Sequence, residues 1–163
     1  NGKIPTVMGK PLAGFSDGEI VSSDDFDSER MNIDWQWNHN PVNEAWSLTE
    51  RKGWLRLKTS RVTDNLYLAP NTLTQRMEGP ECSGIVKMDI SHMKDGDIAG
   101  FSAFNGDAGV VKIVKDGKKV FVVADSQNVE LTDKEKRVTK VDVTESYRQQ
   151  LRKQKEIYLL DVE

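Results

Sequence analysis

The sequence predicts an antiparallel all-β fold, a sandwich or a barrel, and three observations carry that prediction. Apolar residues alternate with polar ones over short segments, the pattern of a strand with one face buried. Glycine turns with Asn or Asp beside the glycine divide those segments at short, regular intervals. The segments follow one another directly, without the helical crossovers that alternating βα units require.

The elements are read in chain order. Residues 1–22 hold Pro5, Pro11 and the pairs Gly2-Lys3 and Asp17-Gly18, which break any regular period, so they read as an extended lead-in. The domain then runs over 23–163. Asp24-Asp25-Phe26-Asp27 sets an aromatic among carboxylates. Turn chemistry takes precedence there over a structural calcium, because a cation site needs oxygens that converge in space. Residues 46–51 and 54–59, joined at Lys52-Gly53, read as a hairpin whose second arm puts Leu55 and Leu57 on one face and Trp54, Arg56 and Lys58 on the other. Residues 71–77 alternate as well.

Further strands are predicted at 83–90, 98–104, 108–114 and 118–124. The turns Lys94-Asp95-Gly96-Asp97, Asn105-Gly106-Asp107 and Lys115-Asp116-Gly117 separate them, and Asp116-Gly117 predicts a tight hairpin. Residues 130–143 keep Val138, Val141 and Val143 at strand spacing. Residues 144–156 read as a short helix, with Thr144 as N-cap and Tyr147 and Leu151 on one side. Residues 157–162 restart a strand, which must pair with an earlier one or with sequence beyond this chain, since an unpaired apolar edge invites aggregation.

Composition narrows the function. A length of 163 residues suits one domain that buries a core without staples, and no apolar run is long enough to insert into a bilayer. The net charge of −3 supplies no broad basic field for nucleic acid. Cys82 is the single cysteine, so no intrachain disulfide forms. The sequence has no phosphate loop, no Cys or His pair at metal spacing and no nucleophile elbow. His39 and His92 stand far apart, and Glu50, Glu78 and Glu81 are the carboxylates nearest the aromatic region. A glycosidase needs two carboxylates at a set separation, which sequence spacing does not supply.

All four tryptophans fall between residues 35 and 54, inside a stretch from 35 to 76 that is also rich in Asn, Gln and Arg. Sugars stack their C–H faces on aromatic rings and need directed donors and acceptors for their hydroxyls, which such a mixture provides. Core filling is the plainer reading of Trp35, Trp46 and Trp54. Trp37-Asn38-His39-Asn40, with three polar side chains after the ring, fits a rim or a concave face.

Five blocks in this order resemble a known family. They are Trp35-Gln36-Trp37-Asn38-His39-Asn40-Pro41, Trp46-Ser47-Leu48-Thr49-Glu50-Arg51, Leu55-Arg56-Leu57-Lys58-Thr59, Asn71-Thr72-Leu73-Thr74-Gln75-Arg76 and Met93-Lys94-Asp95-Gly96-Asp97-Ile98-Ala99-Gly100. The resemblance, over residues 22–124, is to the C-terminal concanavalin A-like β-sandwich of glycoside hydrolase family 43 β-xylosidases and arabinofuranosidases. It implies a jelly-roll sandwich that packs on a catalytic β-propeller and helps wall a pocket for xylo- or arabino-oligosaccharides. The catalytic carboxylates would lie on the propeller, so this chain is expected to be no enzyme on its own.

An extracellular or periplasmic location is the corresponding expectation. The family pattern reads Ala-Arg-Asn where this chain has Ala69-Pro70-Asn71, which removes a cation and a backbone donor. The family's last strands have no counterpart before Glu163, so the chain reads as a fragment. Trp37, Asn38, His39, Gln75 and Arg76 are the expected contacts to sugar or to the propeller. The alternatives are a free-standing carbohydrate-binding module and a structural domain without ligand.

Overall fold

Between residues 98 and 150, three hairpins lay four strands side by side in the order β6-β7-β8-β9, every pair antiparallel. The structure, a computed structural model, describes Val7, Gly9, Gly14 and residues 22–105, 107–131, 138–151 and 156–162. The long strands are β6 (Ile98–Asn105), β7 (Asp107–Asp116), β8 (Lys119–Leu131) and β9 (Val138–Gln150). Before them come β1 (Gln36–Trp37), β2 (Trp46–Ser47), β3 (Arg56–Leu57), β4 (Leu73–Thr74) and β5 (Ser83–Asp89), and after them β10 (Glu156–Val162). The order β6-β7-β8-β9 leaves the sheet open, which decides for a sandwich over a barrel.

The predicted Asp116-Gly117 hairpin is present: Asp116 faces Lys119, and Gly117 takes a φ of 54° in the left-handed region that suits glycine. Asp95 Oδ1 accepts a 2.6 Å hydrogen bond from the Gly117 amide, and Gly96 N donates to Lys115 O at 2.9 Å, so the turn before β6 braces this hairpin.

Cross-strand register assigns the two faces of the sheet. Phe101 faces Val111, and Ile113 faces Val122, so these residues share a face with Val120. Met88, Ile90 and Met93 pack against that face around the fully buried Ile113. β5 pairs with β10 from Glu156↔Asp89 to Val162↔Ser83, and this ribbon forms the second layer, with β10 beside β6 and β7. Gly84 lets it approach: a Cβ there would sit 2.6 Å from Phe101 Cζ. The last predicted strand thus finds its partner in β5.

The opposite face carries Val110, Lys112, Val123, Asp125 and Gln127, all buried or half-buried. It is covered by a 3-10 turn at Leu66–Leu68, where Tyr67 lies with its ring 6.2 Å from that of Phe104. Lys112 Nζ pairs with Asp125 Oδ2, Gln127 Nε2 donates to Asp125 Oδ1 at 3.4 Å, and Gln127 Oε1 accepts from Leu66 N at 3.3 Å.

The structure overturns one expectation and shortens two others. The helix predicted over 144–156 is not formed by the described residues of that range: 144–150 belong to β9, and 156 opens β10, while 152–155 lie outside the described residues. β8 has thirteen residues of backbone donors and acceptors to satisfy, and pairing with β9 satisfies them along its second edge. A bulge also explains the misleading helical spacing. Ala124 faces Tyr147 and Asp125 faces Glu145, so Ser146 is an extra residue in β9 and donates from Oγ to Ala124 O at 3.1 Å. The bulge brings Glu145 and Arg148 together at an i, i+3 offset, with two 2.8 Å hydrogen bonds.

The second correction concerns the hairpin over 46–59. Its arms pair as Trp46↔Leu57 and Ser47↔Arg56, but for two residues only. Ser47 Oγ accepts from the amides of Thr49 and Glu50, both at 3.1 Å, which withdraws them from the ladder. The strand predicted over 71–77 likewise shrinks to Leu73–Thr74. The lead-in at 1–22 lies outside the described residues except Val7, Gly9, Gly14 and Ser22.

Trp54 leaves the hairpin for the second layer. The Arg51 guanidinium lies 3.9 Å from the ring centroid and Lys87 Nζ 5.1 Å from it. Arg51 also donates to Asp89 Oδ2 at 2.5 Å, while the Ser91 amide donates to Asp89 Oδ1 at 2.9 Å. Hydrogen bonds from the Ser91 side chain and amide, then from Arg51, hold the Asp89 pKa down at about 2, from an ordinary 3.8. A carboxylate depressed in the folded state stabilises it above the unfolded value and loses that contribution as pH falls through the folded one. Thermal unfolding between pH 4 and pH 2 should therefore show a fall in Tm that is smaller in Asp89→Asn; equal slopes for the two proteins would refute this role.

Candidate functional site

The site region is built on the ladder of β1 with β4, in which Gln36 faces Thr74 and Trp37 faces Leu73. Asn38 N extends the ladder to Thr72 O at 2.9 Å, and Thr74 Oγ1 donates to Gln36 O at 2.9 Å. The five residues singled out from the sequence fall into two groups around this ladder.

The first group is Trp37, Asn38 and His39, all half-buried. Trp37 packs on Trp46 with ring centroids 5.4 Å apart. Asn38 Nδ2 and His39 Nε2 converge on one acceptor, the Tyr67 carbonyl, at 3.3 and 2.6 Å. A carbonyl oxygen only accepts, so His39 carries its proton on Nε2 and leaves Nδ1 for another partner. The Tyr67 ring meets His39 edge-on at 6.3 Å. These donors therefore brace the turn at Leu66–Leu68, which Asn65 caps by accepting from Leu68 N at 3.0 Å.

The second group is Gln75 and Arg76, which line a cleft of about 190 Å³ together with Ile33, Asp34 and Gln36. Because β1 and β4 are antiparallel, the start of one and the end of the other meet at the same end of the ladder, and the cleft opens there. Gln75 Nε2 donates to Ser22 O at 3.0 Å, and Ser22 Oγ donates to Asp34 Oδ2 at 2.6 Å. The structure does not merge the two groups: the cleft lining holds none of Trp37, Asn38 and His39.

Sequence reading missed Tyr67, Asp34 and Gln36. Tyr67 sits in the irregular stretch before residue 71, where no period marks it. The alternation of Gln36 with Trp37 was visible and would have set Gln36 on the face opposite the ring. The other aromatics of the region are engaged internally. Trp35 stacks on Phe26 at 5.7 Å and donates from Nε1 to Asp24 Oδ2 at 2.8 Å. Asp24 Oδ1 also accepts from Phe26 N at 2.7 Å, the predicted turn chemistry, with Phe26 at a φ of 53°. Among the described residues no group of three or more His, Cys, Asp or Glu is gathered in a way that could hold a metal ion. Glu50 is bound up with Lys58 and Arg56.

Two facing antiparallel layers, with an aromatic and amide region beside them, define a β-sandwich module. Residues 23–159 match the family described as the β-xylosidase C-terminal concanavalin A-like domain, and the chain belongs to that family. A β-xylosidase of Formosa agariphila is 37% identical over 68% of this chain and 22% of its own length. A non-reducing end α-L-arabinofuranosidase of Bacteroides ovatus is 31% identical over 47% of this chain and 15% of its own. Among solved structures, a bifunctional family 43 enzyme of Bacteroides eggerthii superposes with a TM-score of 0.73 at 39% identity, covering 86% of this chain and 17% of that one. A family 43 glycoside hydrolase engineered to show both endo-xylanase and exo-arabinofuranosidase activity gives 0.80 at 30% identity, covering 94% of this chain and 30% of its own. The chain thus spans about a fifth of the length of the curated β-xylosidase that it matches. No helix among the described residues is long and apolar enough to cross a membrane.

Proposed function

We propose that this chain is an accessory β-sandwich module, over residues 23–163 with 1–22 as lead-in, of an exported hemicellulose-degrading hydrolase of β-xylosidase or α-arabinofuranosidase type. It forms one wall of a site for xylo- or arabino-oligosaccharides, and a catalytic β-propeller supplies the chemistry. The observation that supports this reading is the bracing of the ladder: Tyr67 O, Trp46 and Ser22 hold Asn38, His39, Trp37 and Gln75 from behind, while Gln36 and Arg76 stay exposed. A rigid polar wall of this kind lowers the cost of ordering a ligand or a facing domain. A free-standing sugar-binding module is less well supported, because Trp35, Trp37 and Trp54 are each packed on another side chain.

The test uses the catalytic propeller expressed without its sandwich and assayed on xylobiose and arabino-oligosaccharides. Adding this chain should raise kcat/KM by about tenfold or more, while the chain alone releases no pentose. Pentose release by the chain alone, or no change on adding it, would overturn the proposal.

A further inference from the structure

We propose that the cleft at the end of the β1–β4 ladder is a subsite for one neutral sugar unit, held through its hydroxyls by Asp34, Gln36, Gln75 and Arg76 rather than by ring stacking. The inference rests on the reading above that the chain attends a hemicellulose-degrading site, and it names the ligand class and the residues that take it. Four observations carry it. The first is size: about 190 Å³ is below the roughly 300–1,000 Å³ of sites for drug-sized ligands, so the cleft suits a single sugar ring and not an oligosaccharide.

The second is charge. Among the described residues Asp34 and Arg76 contribute one charge of each sign to the lining, a balance that favours a neutral polyol over a carboxylate-bearing sugar. The third is preorganisation. Ser22 holds both walls at once, with its hydroxyl on Asp34 Oδ2 and its carbonyl on Gln75 Nε2. This fixes two polar side chains before any ligand arrives, which reduces the ordering cost of binding.

The fourth is the inventory of unused polar groups. Asp34 Oδ1 and Gln75 Oε1 remain as acceptors, and the side chains of Gln36 and Arg76 make no hydrogen bond or ion pair with the described residues. Adjacent sugar hydroxyls each donate and accept, so they match a carboxylate and a planar guanidinium that line one cleft. Among the described residues the apolar wall is Ile33 alone, 91% exposed, and no aromatic ring lines the cleft. Binding is accordingly weak, with an expected Kd of about 1–10 mM.

Amide chemical shifts of the whole chain, followed during titration with xylobiose, test this directly. Saturable shifts should gather at residues 33–36 and 75–76. Arg76→Ala and Asp34→Asn, both changes to side chains outside the core, should each weaken binding by about tenfold while the spectrum stays dispersed. Glucuronic acid, titrated in parallel, should bind more weakly than xylobiose. Tighter binding of the glucuronate would overturn the neutral-sugar assignment in favour of an anion site at Arg76. Shifts confined to residues 37–39, or none that saturate, would overturn the cleft as a subsite. The propeller assay is scored separately: enhancement by the chain without cleft shifts would leave the accessory role standing and remove the subsite.

Discussion

Asp125→Ala should lower the unfolding free energy by about 3–5 kcal/mol, read from urea unfolding near neutral pH. The Asp125 side chain is 1% exposed and that of its partner Lys112 15%, so neither charge has bulk water to fall back on. Removing the carboxylate leaves the ammonium without its anion on the covered face of the main sheet, and leaves Gln127 Nε2 without its acceptor. Replacing both partners, as Lys112→Met with Asp125→Leu, should recover most of the loss, because an apolar pair of similar volume carries no desolvation penalty. A loss below about 1 kcal/mol for Asp125→Ala would place the pair in the range of solvated surface bridges and refute the account.

The same variant should reach the candidate site. Gln127 fixes Leu66 N, the next residue along offers its carbonyl to Asn38 and His39, and that carbonyl sets their orientation. Faster amide exchange at Leu66 in Asp125→Ala, with a shift of the His39 ring resonances, is the expected signature.

Ile113→Ala should cost about 2–5 kcal/mol, and Ile113→Val about 0.5–1.5. Ile113 is fully buried in β7, an inner strand held by β6 and β8 on either side, and it faces Ala99 and Val122 across the ladder. Both neighbours are tied by backbone hydrogen bonds, and Ile90 packs from the second layer. The cavity therefore collapses little, which puts the expected cost in the upper half of the range. Equal destabilisation by the two substitutions would mean that the loss comes from the strand and not from packing volume.

How much was legible in the sequence follows from the range of the interactions involved. The meander from residue 98 to 124 could be read because its causes are local: alternation marks each face, and Gly96 and Gly117 mark turns that need a positive φ, whereas the continuation of β8 to Leu131 was not read. The five blocks that pointed to the family were legible through their resemblance to it, not through periodicity. The second half of β9, residues 144–150, was not legible, since the spacing of Thr144, Tyr147 and Leu151 fits a helix and only the free edge of β8 turns it into a ladder. The hairpin over 46–59 was placed correctly but drawn too long, because the Ser47 hydroxyl competes with the ladder for two amides.

For the candidate site the division is sharper. The sequence by itself determined that polar residues cluster around the tryptophans, and that Trp37, Asn38 and His39 do not fit a plain core pattern. Only the tertiary structure decided that Asn38 and His39 turn their donors to Tyr67, twenty-nine and twenty-eight residues away, and that Ser22 holds Gln75 from fifty-three residues away. Such partners leave no mark in local periodicity. A hydrogen bond depends on where two groups meet in space, and chain closure over tens of residues is set by the packing of the layers between them.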